Sequence, residues 1–108
     1  MERIETTILK NLIFNEDYSR KVLPFLKNEY FESYHEKVVF EEIAKFIIEY
    51  GNLPSKEAIV IESEKRTDIS DEGFKDISTL VTDLNEEKSD LQWLFDTTEK
   101  WCRDRAIY

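Results

Sequence analysis

The stretch from Ser33 to Pro54, SYHEKVVFEEIAKFIIEYGNLP, decides the fold class. Val39, Phe40, Ile43, Phe46, Ile47 and Tyr50 recur at the three- and four-residue intervals that line one side of an α-helix. Glu41, Glu42, Lys45 and Glu49 fall on the other side. Ser33 and Glu36 stand as a capping box, in which a hydroxyl and a carboxylate satisfy free amides at a helix start. Gly51 can take the left-handed conformation that closes a helix, and Pro54 lies just beyond. This is a long amphipathic helix with both ends marked.

The same spacing continues on either side. Ile4, Ile8, Leu9, Leu12 and Ile13 form a first stripe, ending before Asn15-Glu16-Asp17. A second, short segment carries Tyr18, Val22 and Leu23, and Pro24 should stop it or open a further turn through Leu26. Ser55 can cap a fourth helix through Ala58 and Ile59, with a strand over Ala58–Ile61 as the alternative because that run is short and β-branched. Ser70 or Asp71 can start a fifth with Phe74, Ile77, Leu80, Val81 and Leu84 inward, weakened somewhat by Gly73 in its first turn. Ser89 and Gln92 form a second capping-box pattern before Leu91, Leu94, Phe95, Thr98, Trp101, Cys102 and Tyr108. Two glycines and two prolines in 108 residues leave few turn signals for a sheet. The expectation is an all-α fold, a compact bundle of about six helices. The last helix has no capping end, so it reads as truncated and the chain as a piece of something longer.

Composition excludes much chemistry. One Cys cannot form an internal disulfide, and one His with one Cys makes a closed zinc site untenable. Glycine at only Gly51 and Gly73 rules out a phosphate loop or dinucleotide-binding turn. A net charge of −9 argues against broad contact with a phosphate backbone. No apolar run approaches a membrane span, and the start lacks a signal peptide's pattern. The expected setting is the cytoplasm.

No catalytic constellation emerges. His35, beside Glu32 and Glu36, has no nucleophile motif near it and reads as a capping or packing residue. Neighbouring carboxylates such as Glu41/Glu42 and Glu86/Glu87 diverge on a helix and do not converge on one ion. Charge is uneven, however: residues 68–99 hold ten acids and two bases, a net of −8, whereas residues 100–108 carry a net of +2. Asp71, Asp76, Asp83, Glu86 and Glu87 are therefore candidates for an acidic face that meets a basic protein partner. The last helix is apolar over a wide arc, which marks Trp93, Phe95, Trp101 and Arg105 as candidate contacts to another subunit or a missing helix. Cys102 reads as a small core or interface residue.

Leu9, Leu12, Ile13 and Phe14, then Tyr30-Phe31, His35, Phe40, Ile43 and Ile47, then Tyr50-Gly51 and Leu53-Pro54 form a pattern that resembles the N-terminal domain of DnaB-type hexameric replicative helicases. Lys21-Val22-Leu23-Pro24-Phe25 and Glu29-Tyr30-Phe31-Glu32-Ser33 are most similar to the helicases of T-even-type bacteriophages. Trp93-Leu94 through Arg103-Asp104-Arg105-Ala106 resembles the start of their helical hairpin. The resemblance implies a globular helical domain over residues 1–89 and, over residues 90–108, the start of a hairpin leading towards a linker and motor. It implies a non-catalytic collar domain that supports ring assembly, contacts other helicase subunits and docks primase or a helicase loader. ATP and Mg²⁺ belong to the motor domain, which these residues lack, so no cofactor, no enzymatic activity and no direct nucleic-acid contact are expected here. The rival reading is a stand-alone acidic phage protein that mimics DNA and inhibits a nucleic-acid enzyme; it accounts for the charge but not for the helicase-like spacing.

Overall fold

A computed structural model describes residues 3–87 and 89–106. Six α-helices and two 3₁₀ turns make up the regular structure among the described residues, and none of these residues is in a strand. The fold is all-α.

Helix α1 (Ile4–Phe14) lies at the centre. Ile8, Leu9, Leu12 and Ile13 are buried as expected, but so are Thr7, Lys10 and Asn11. A helix covered on so much of its circumference is a core element, not the one-sided surface helix that its stripe predicts. Asn15 then does two jobs. Its amide closes α1 on the Asn11 carbonyl at 3.0 Å, and its side chain accepts from the Tyr18 amide at 3.1 Å. It thereby caps α2 (Glu16–Val22). Pro24 follows in a 3₁₀ turn, Leu23–Phe25, closed by the Leu26 amide on the Leu23 carbonyl. A second such turn spans Asn28–Tyr30.

Helix α3 (Tyr34–Tyr50) matches the decisive stretch, and Gly51 ends it at φ 70° with its amide on the Ile47 carbonyl. Two expectations fail along it. The capping box is half-formed: Glu36 accepts from the Ser33 amide, but the Ser33 hydroxyl makes no cap bond. The buried face also shifts. Val38, Val39, Phe40 and Ile43 are buried together with Glu36 and Glu42, whereas Tyr50 is exposed and Phe46 and Ile47 are only half-buried. The helix overruns the core at its C-terminal end, so Ile47 packs only on the core's margin and Tyr50 is left exposed.

Helix α4 (Lys56–Glu64) settles the strand alternative. Ser55 accepts from the Ala58 amide at 3.0 Å, and Ile59 and Ser63, four apart, are buried while Ile61 faces out. A strand would put Ile59 and Ile61 on one face. Helix α5 (Asp71–Asp83) is capped by Ser70 on the Gly73 amide. Its far end is closed by Lys56, whose ammonium donates to the Thr82 and Leu84 carbonyls at 2.7 Å each. Helix α6 (Leu91–Ala106) starts on Asp90, which accepts from the Trp93 amide at 2.9 Å. Asp90, not Ser89, caps it, its carboxylate taking the Trp93 amide one residue beyond the Gln92 amide that a Ser89 cap would take.

Helix α1 packs on α2 and α3, α3 on α4 and α5, and α6 on α2 and the Asn28–Tyr30 turn. Leu94, Thr98 and Trp101 of α6 enter the same core as Ile8, Tyr18 and Phe31. The expected inward position Tyr108 lies outside the described residues.

Candidate protein interface

Two surfaces stand out. The acidic one is built on α5 and the connection to α6. Asp71, Asp76, Asp83, Glu86 and Glu87 are all exposed. Two of them are already engaged within the chain. Asp76 Oδ2 lies 3.3 Å from His35 Nε2, which ties α5 to α3. Glu87 Oε2 lies 3.7 Å from the ammonium of Lys10, a side chain that is itself buried. Asp71, Asp83 and Glu86 carry the outward charge. His35 thus has an acidic neighbour on another helix.

The second surface is formed by α6 against α2. The four candidate contacts on α6 separate. Trp93 is half-exposed, whereas Trp101 is buried, 5.0 Å from the Phe31 ring and edge-on to Tyr30. Eight residues of helix exceed two full turns by about 80°, enough to carry one indole outside and the other into this chain's own core. Phe95 is half-buried and stacks on Tyr18 at 6.0 Å, with the Lys21 ammonium 4.5 Å from its ring. Arg105 turns back on the chain: it binds Glu5 at 2.8 Å and Glu32 at 2.9 Å, and its guanidinium lies over the Trp101 ring. Trp93 and Phe95 therefore retain outward area, while Trp101 and Arg105 hold α6 in place.

Beneath Phe95, the Tyr18 hydroxyl and Thr98 Oγ1 meet at 2.6 Å in the interior. Burial drives the Tyr18 phenol well above its ordinary pKa, so it stays neutral and serves as a polar pin between α2 and α6. Burial also raises the Cys102 thiol, the opposite of what a nucleophilic thiolate needs.

Between α2 with its 3₁₀ turn and the outer side of α6 runs a groove of about 360 Å³. Val22, Phe25, Tyr30, Phe95 and Cys102 line it, with Lys21 and Arg103 at its edges. The sequence reading missed this groove. Its one local signal is Phe25 directly after Pro24, an aromatic presented by a turn with no stripe of its own. A smaller apolar patch lies at the end of α3, where the Phe46 and Tyr50 rings meet at 4.7 Å beside Ile61.

Two charge clusters were also invisible in the sequence. Arg66, just past α4, binds Glu42 at 2.7 Å, Glu41 at 3.0 Å and Asp68 at 2.7 Å. Asn28 donates to the other oxygen of Glu41. Arg3 joins the buried Glu36 at 3.3 Å and lies 3.5 Å from the buried Glu5, which Arg105 also holds. No group of three or more His, Cys, Asp or Glu suited to a metal ion occurs among the described residues. Nor is any described helix long and apolar enough to cross a membrane.

The class defined by this fold is a small all-α domain with an acidic face and a separate apolar groove. No protein-family model matches the chain. Over 101 residues, 94% of its length, it is 34% identical to a DnaB-like replicative helicase of Enterobacteria phage T4. That match extends over nearly the whole chain. The chain spans about a fifth of that relative, 21% of its length.

Proposed function

We propose that this chain is the collar domain of a phage replicative DNA helicase, supporting ring assembly and docking primase or a helicase loader in the host cytoplasm. The observation that carries this reading is the 34% identity over 94% of the chain to the phage T4 helicase. The all-α fold supports it, and so does an acidic face on α5 suited to a basic partner. In this reading the domain is non-catalytic, contacts its neighbouring subunits in the ring, and leaves ATP, Mg²⁺ and DNA to a motor domain elsewhere in the protein.

The test is calorimetric binding to the primase and helicase loader of a T-even-type phage. Affinity should fall about tenfold or more between about 50 mM and about 500 mM salt, because exposed charge pairs are screened. Reversal of the outward charges in Asp71→Lys/Asp83→Lys/Glu86→Lys should weaken binding further at low salt. Binding indifferent to salt and to these reversals would remove the acidic face from the reading. If neither replication protein bound, and the chain instead inhibited a DNA-binding enzyme, the DNA-mimic reading would replace it.

A further inference from the structure

The groove between α2 and α6 has the chemistry of a peptide site. Its lining is apolar, and at its mouth Phe25 is 69% exposed. That exposure is not a frayed end: Pro24 restricts the turn and the Leu26 amide closes it on the Leu23 carbonyl at 3.2 Å. The turn fixes the backbone position from which Phe25 projects, so the part of an anchor's cost that lies in placing its backbone is reduced. The groove edges are cationic in a chain of net charge −9. Lys21 stands on the α2 side, 4.5 Å from the Phe95 ring, and Arg103 stands on the α6 side. One carboxylate lines the groove, Glu99, and it lies 3.7 Å from Arg103. Nucleic acid does not suit so apolar a slot on so acidic a chain. A volume of about 360 Å³ between two helices takes the anchors of one face of a third helix.

We propose that this groove binds an amphipathic helix of a partner protein, its apolar anchors seated against Phe25 and Phe95 and its flanking carboxylates paired with Lys21 and Arg103. The proposal deepens the docking reading above and rests on it, adding a second site of opposite charge to the acidic face. The two can fail separately: the probe below is a synthetic peptide, so its failure removes the groove alone, whereas the salt titration with primase and loader tests docking itself.

The probe is a synthetic helical peptide with leucines at i, i+3, i+4 and i+7 flanked by glutamates, compared with the same peptide flanked by lysines. Both are titrated into the full chain and followed by its backbone amide NMR signals. The Glu-flanked peptide should shift amides of residues 21–26 and 95–103 and bind about tenfold more tightly than the Lys-flanked one. Phe25→Ser should weaken it about tenfold, and Lys21→Glu/Arg103→Glu should invert the preference between peptides. All three side chains are exposed, and thermal melts by circular dichroism verify that each variant folds. Equal binding of the two peptides, shifts confined to other helices, or an unaltered affinity in Phe25→Ser would overturn the proposal. So would sedimentation showing that the chain pairs with itself through these residues, with Phe25→Ser turning a dimer into a monomer, because the occupant would then be a second copy.

Discussion

Arg66 and Arg105 each sit in a cluster that gathers carboxylates from distant parts of the chain, yet one carboxyl in each shifts in opposite directions. Asp68, beside Arg66, is held down, and Glu36, held by Arg3 in the cluster that Arg105 joins, is pushed up. Arg66 binds Asp68 at the surface through two nitrogens, at 2.9 and 2.7 Å, and these hydrogen bonds hold that carboxyl below its usual range. Arg105 belongs to a more enclosed cluster in which Arg3 bridges Glu5 and Glu36. Glu36 is only 5% exposed there, and burial pushes its carboxyl up although Arg3 and the Ser33 amide pull it down. A nearby cation therefore does not decide how a carboxylate titrates. What decides is whether the cation outweighs the water lost.

The strongest way to break this comparison is Arg66→Ala. It leaves Glu42, 4% exposed, without its 2.7 Å partner and with Lys45 at 3.8 Å as its one remaining cation among the described residues, and should cost about 3 kcal/mol in urea unfolding. A loss under about 1 kcal/mol would mean that Glu42 escapes to solvent. Arg105→Ala should cost less, about 2 kcal/mol, because Arg3 remains 3.5 Å from Glu5. Its distinguishing sign is local: faster amide exchange in the last turns of α6, since the tie to Glu5 and Glu32 and the cover over Trp101 are lost together.

The smallest effect sharpens the comparison most. The raised pKa of Glu36 means that the folded state holds this proton more tightly than the unfolded chain does. Its contribution to stability is therefore complete below the ordinary glutamate value of 4.5 and is lost as pH rises through the folded value. Asp68 has the reverse linkage: its contribution is present above the ordinary aspartate value of 3.8 and is lost as pH falls. Thermal melts across this range should show Glu36→Gln losing less stability than the parent as pH rises above 4.5. Parallel curves for the two proteins would contradict the assignment.

Much of the fold was legible in residues that act on their immediate neighbours. Ser55, Ser70 and Gly51 cap helices as their types predict, because a cap is a contact made within about one turn. Leu94 and Thr98 point inward at helical spacing. Legibility ended where distance in sequence began. Glu42 read as the polar side of its helix and Glu36 as a local cap, yet both are buried, because their partners come from elsewhere in the chain: Arg66 lies 24 residues from Glu42 and Arg3 lies 33 from Glu36. Arg105 reaches Glu5 across 100 residues. Tyr50 read as core and is exposed, because periodicity reports which side of a helix is apolar and not how far its neighbours extend. The candidate site divided on the same line. The acidic residues around α5 are exposed as their types predict, while the groove needs α2 and α6 side by side, a pairing to which no local pattern points.

By itself, then, the sequence determined that this chain is helical, where three of the six described helices are capped or closed, and that its charge concentrates between residues 68 and 99. Those are properties of short stretches, set by backbone hydrogen bonding and helical period. Only the tertiary structure decided which charges were drawn inward, which of two tryptophans joined the core, and that Phe25 and Phe95 share one groove. Each of these depends on the free energy of bringing distant residues together, and no local stretch of the chain contains that term.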